Sequence, residues 1–98
     1  MLPMRQIRED LKEIRHYYTM KKTFDMLDDT LRPVALLNKV QRYNSAMQNA
    51  PAKIYIIYAI LYLQNTTQAV LADEWGYSRE YIKLLNQKLC EYLQKTVI

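Results

Sequence analysis

The chain has 98 residues, half of them apolar, with one glycine, three prolines and a single cysteine. That length is one domain. So few breakers argue for helices rather than a turn-rich β fold, and one cysteine excludes an internal disulfide, as in a reducing compartment. The net charge of +4 permits a nucleic-acid partner without requiring one. The charge is unevenly spread: no acid falls between Asp29 and Asp73, while Arg32, Lys39, Arg42 and Lys53 do.

In chain order, Met4, Ile7, Leu11, Ile14, Tyr17, Met20, Phe24, Leu27 and Leu31 recur every third or fourth residue, which predicts a long first helix over about 4–31. The pattern slips near Tyr17, so a bend or break around Thr19 to Thr23 is expected. Two readings of this N-terminal arm, residues 1–32, stand side by side. It packs on the domain, or its heptad-like halves form a homodimer seam. Asp28-Asp29-Thr30 has the chemistry of helix caps, and Pro33 suits the first turn of a second helix running to Met47, with Leu36, Leu37, Val40, Tyr43 and Met47 on its buried face. Asn49 is the expected cap of a third helix over Ala52–Leu63. That helix is apolar nearly all round and so belongs at the centre of the fold, with its tyrosine hydroxyls wet at the rim or on a self-association patch.

The informative stretch is residues 66–89. Asn65-Thr66-Thr67 ends the third helix and caps a fourth. Within the segment Gln68–Leu89, Ala72 stands where two helices cross, and Gly76 follows at a turn that asks for a positive φ. Ser78 is placed to cap a fifth helix. Leu71, Trp75, Tyr77, Ile82 and Leu85 fall at the inward-facing positions of a helix-turn-helix. The outward face of the second motif helix is then Ser78, Arg79, Glu80, Lys83, Leu84 and Gln87. In this motif that face meets base edges in the major groove of double-stranded DNA. Arg79 suits guanine O6 and N7, Gln87 adenine, Glu80 cytosine N4, and Leu84 a thymine methyl. Thr66, Thr67, Gln68 and Lys88 are candidates for phosphate contacts.

The order Thr-Gln-x-x-Leu-Ala followed by Gly-Tyr-Ser-x-x-Tyr-Ile resembles region four of sigma factors. It resembles still more the small phage and prophage activators of Gram-positive bacteria of the RinA and ArpU kind. The opening Ile7-Arg-Glu-Asp-Leu-Lys-Glu-Ile-Arg-His-Tyr-Tyr18 and the stretch Tyr43-Asn-Ser-Ala-Met-Gln-Asn-Ala-Pro51 are similar to that group in a looser way. The resemblance implies a transcription regulator of phage genes, with RNA polymerase as an implied further partner.

Other chemistry is poorly represented. His16 and Cys90 are each the only residue of their type and lie far apart, which is weak ground for a nucleophile and base. Cys90 reads as packing. No metal-ligand spacing or glycine-rich phosphate loop occurs, so no catalytic residue, metal or cofactor is expected. The longest apolar run, Ile54–Leu63, is too short to span a bilayer, and no signal peptide is visible, so a cytoplasmic location is expected. The expected architecture is all-α, about five helices in one domain, with a long N-terminal helix and a C-terminal helix-turn-helix packed on an apolar central helix. Against the DNA-binding reading stand a protein-interaction module built on the same motif, such as a phage inhibitor of a host machine or an anti-repressor, and a small DNA-packaging subunit. Asp73, Glu74 and Glu80, beside the presumed DNA face, favour the protein-interaction reading.

Overall fold

The structure is a computed structural model that describes residues 1–97; the side chain of Asp29 lies outside the description, and with it that residue's expected share of the capping. The described residues form six α-helices with a 3-10 turn, a π turn and short connections, and no strand occurs among them. The helices are α1 (Met4–Thr19), α2 (Lys21–Asp25), α3 (Val34–Ala46), α4 (Ala52–Tyr58), α5 (Gln68–Trp75) and α6 (Arg79–Thr96). The extra helix comes from division of the expected long first one. α1 stops at Thr19, and Met20 takes a non-helical ψ of 10° before the chain resumes as the short α2.

The division follows from packing. Ile7, Leu11, Ile14 and Tyr17 are buried against the rest of the chain, so α1 packs on its own domain. Beyond Tyr17 the stripe moves to the margin of the core, where the partly buried ring of Phe24 stacks on that of Tyr17 at 5.7 Å. Leu31, expected at the end of the stripe, is 67% exposed and sits in a 3-10 turn, Asp29–Leu31. Asp28 caps that turn by accepting from the Thr30 amide.

α3 presents Val40, Tyr43 and Met47 to the core, with Leu36 and Leu37 partly buried at its margin. Pro33 stands just before the helix, not in its first turn. Asn49 does not cap α4. The chain turns through Ala50, whose amide donates to the Met47 carbonyl, and Pro51 in an extended conformation starts the helix without a side-chain cap.

α4 loosens at Ala59 into a wider π turn over Ala59–Leu63, closed by the Gln64 amide donating to the Ala59 carbonyl. The carbonyls in the last turn of a helix lack helical partners. Here the Arg15 guanidinium of α1 donates to that of Leu61 at 2.9 Å while lying over the Tyr62 ring. Tyr58 and Tyr62 are not rim residues. Both are buried, and their hydroxyls donate to Asn44 and Asn86 at 2.7 and 2.5 Å. Burial pushes the Tyr62 phenol up to about 12, so it stays protonated and serves as a donor. Tyr55 alone of the three is surface-exposed. The centre of the fold is shared: α4 packs on α6, and α6 also packs on α1, α3 and α5. Cys90 is buried on the inner face of α6, as packing requires.

One polar cluster lies inside. The Asp10 carboxylate, 2% exposed, accepts from the Tyr43 hydroxyl at 2.6 Å and from the Gln6 amide at 2.8 Å, and pairs with Lys39 at 3.0 Å. Lys39 also bonds Glu13. A buried carboxylate needs such partners to remain charged.

Candidate nucleic-acid interface

The segment from Thr67 to α6 is built by three local devices. The Thr67 hydroxyl accepts the Val70 amide at 3.2 Å and starts α5. After the eight residues of α5, Gly76, with φ 71° and ψ 25°, ends it in the left-handed conformation, and the Tyr77 amide donates back to the Ala72 carbonyl at 3.0 Å. The Ser78 hydroxyl then accepts the Tyr81 amide at 3.1 Å and starts α6. Thus the chain stops one helix and begins the next within three residues.

Four of the expected scaffold residues join the two helices. Leu71 and Ile82 are fully buried, Ala72 is buried where a larger side chain would part the helices, and Leu85 lies beneath them. Trp75 and Tyr77 do not face inward; they are 47% and 48% exposed. Leu71, Ile82 and Leu85 are buried at the crossing, and Ile82 and Leu85 also line the surface groove that Trp75 and Tyr77 border. Trp75 is the last residue of a two-turn helix, and the left-handed Gly76 carries Tyr77 outward. That apolar groove, of about 320 Å³, is also lined by Ile56, Ile57 and Tyr81. The Tyr77 and Tyr81 rings meet edge to face at 5.0 Å, and Lys53 donates to the Tyr81 hydroxyl at 3.2 Å.

Every residue expected on the outward face of the second motif helix is exposed: Ser78, Arg79, Glu80, Lys83, Leu84 and Gln87, with Lys88 beside them. Of the candidate phosphate contacts before α5, Thr67 is exposed, while Thr66 and Gln68 are half-buried. The Thr66 amide is engaged internally with the Ile60 carbonyl at 3.1 Å.

Electrostatically the motif is balanced. Over residues 66–89 the acids Asp73, Glu74 and Glu80 offset the bases Arg79, Lys83 and Lys88. The structure adds a base that sequence reasoning missed. Arg8 of α1 donates to the Gln87 side-chain oxygen at 3.1 Å across 79 residues of sequence. Its signal was the three-four-three spacing of Arg5, Arg8, Lys12 and Arg15, hidden by the acids interleaved with them.

No set of three His, Cys, Asp or Glu side chains that could hold a metal ion occurs among the described residues, and no helix among them is long and apolar enough to cross a membrane. Compared with known proteins, the chain matches no family model, no curated protein and no solved structure.

Proposed function

We propose that this chain is a sequence-specific double-stranded-DNA-binding transcription regulator, acting on phage or prophage genes in the cytoplasm of a bacterial host. The observation that carries the reading is the unit just described. A Thr67-capped helix, a left-handed Gly76 and a Ser78-capped helix are joined through Leu71, Ala72, Ile82 and Leu85, leaving the start of α6 projecting polar side chains to solvent. An exposed helix with this preceding brace is what major-groove reading uses. In this reading Arg79 forks onto guanine, Glu80 accepts from cytosine N4, Leu84 meets a thymine methyl, and Lys83 reaches a base or phosphate. Thr67 and Lys88 meet backbone phosphates. The resemblance to sigma region four extends the proposal to RNA polymerase as a partner. A dimer, if formed, has to use something other than Ile7, Leu11 and Ile14, because these are buried within the chain itself.

The test is selection of the purified protein against a random-sequence DNA pool at moderate salt, with enriched sites sequenced. An enriched motif supports the reading, and its symmetry reports monomer or dimer. A folded protein that enriches nothing overturns it.

One observation favours a second reading, a protein-binding module. The groove between α4 and the turn carries Ile56, Trp75 and Tyr77, each at least 40% exposed, in one apolar surface. That reading takes precedence if selection fails.

A further inference from the structure

Resting on the DNA-binding reading, we infer that α1 adds a second set of backbone contacts to those of Thr67 and Lys88. Arg5, Arg8 and Lys12, with Gln87 of α6, form a clamp for DNA phosphates, and Gln87 belongs to that clamp and not to the base-reading group.

Four observations lead there. First, Arg5, Arg8, Lys12 and Arg15 occupy one row of α1 at helical spacing, and two of them tie the row to the motif. Arg8 bonds Gln87 on α6, and Arg15 bonds Leu61, six residues before Thr67. The row therefore runs from α6, the second motif helix, to the π turn that precedes the motif. Second, the charges on α1 are sorted. Asp10 and Glu13 lie on the opposite flank, where Lys39 of α3 pairs with both, while Glu9 stands on the exposed crest between. Arg5, Arg8 and Lys12 are exposed and make no ion pair among the described residues. Third, the motif's own charge is balanced, so attraction to a polyanion has to come from outside it. Sequence-independent affinity for DNA rests on such neutralisation of phosphate. Fourth, the Gln87 oxygen is turned toward a guanidinium. Paired recognition of adenine needs that oxygen aimed at the base as an acceptor. Beyond that bond both exposed partners hold further N–H donors, the complement of a phosphate oxygen.

The experiment compares the full chain with three variants on the selected site and on a scrambled duplex, across a salt series: Arg5→Ala/Arg8→Ala/Lys12→Ala combined, Arg8→Lys, and Gln87→Leu. All four positions are on the surface, and circular dichroism checks that each variant is folded. We expect the triple variant to bind both duplexes more weakly by a similar factor. Its log-affinity against log-salt slope should flatten by about 1 for each side chain that meets a phosphate, with the preferred motif unchanged. Arg8→Lys should keep most of the slope, and Gln87→Leu should keep the motif. A folded triple variant with unaltered affinity and slope overturns the clamp while leaving the DNA-binding reading in place. So does loss of preference at a single base position in Gln87→Leu. Absence of any salt-dependent DNA binding by the unaltered protein removes both.

Discussion

The Tyr43 hydroxyl donates to the Asp10 carboxylate at 2.6 Å, joining α3 to α1 through two side chains that solvent does not reach. Burial by itself would push the Asp10 carboxyl up. The hydrogen bonds from Tyr43, Gln6 and Lys39 outweigh it and hold the group below its ordinary 3.8. Burial, then the Asp10 partner, push the Tyr43 phenol far up, so Tyr43 is the donor throughout the neutral range. Tyr43→Phe removes the donor and leaves the buried carboxylate short of one partner. Such a change costs about 1–3 kcal/mol. Urea unfolding should show a lower midpoint with an unchanged slope.

The same carboxylate makes stability depend on acid. Because its pKa is lower in the folded chain than in the unfolded one, the unfolded chain takes up the proton first as pH falls. The stabilisation is complete above the ordinary value of 3.8 and is lost as pH drops through the lower folded value. Asp10→Asn cannot titrate. Its unfolding midpoint, measured from neutral pH into the acid range, should fall less steeply than that of the parent.

Gly76 holds φ at 71°, yet a Cβ added there would meet nothing within 4 Å. Substitution is therefore opposed by backbone conformation alone. Gly76→Ala should destabilise by about 1–2 kcal/mol, and Gly76→Asn by less, since asparagine tolerates the left-handed region. Equal losses in thermal unfolding would mean that something other than φ sets the cost.

Trp75 is the only tryptophan, and about half of it faces solvent. Its fluorescence should be red-shifted and readily quenched by acrylamide in the folded protein. A blue-shifted, protected emission would mean that the groove beside α4 is covered, for instance by a second copy of the chain.

Arg79 is the first residue of α6 and is exposed at the end that the proposed function sends into the major groove. Arg79→Ala should cost about 1–3 kcal/mol on a selected site and relax preference at one position. Competition between the selected site and single-base variants measures this. Unaltered discrimination would remove Arg79 from the reading face.

Residues 66–89 were legible in the sequence because their structure is set by local chemistry. A hydroxyl three residues ahead of an amide caps a helix wherever it is, and a glycine in the left-handed region ends one. Thr67, Gly76 and Ser78 accordingly stand where spacing put them. The same holds for the inner faces of α1 and α3, where three-and-four spacing alone names Ile7, Leu11, Ile14, Val40 and Tyr43. Tertiary packing decided the rest. The helix divides at Met20, inside the stretch where the pattern slips; Phe24 then packs at the margin of the core by stacking on Tyr17, while Leu31, though in register, has no surface to meet. Trp75 and Tyr77 are apolar at inward positions, yet in the fold they border a surface groove with Ile82 and Leu85 and stay about half exposed. Tyr58 and Tyr62 go inside because Asn44 and Asn86, distant in sequence, supply partners for their hydroxyls. The pairing of Arg8 with Gln87 is of the same kind: each residue is an ordinary exposed polar group on its own helix, and only the crossing of α1 over α6 makes them one surface.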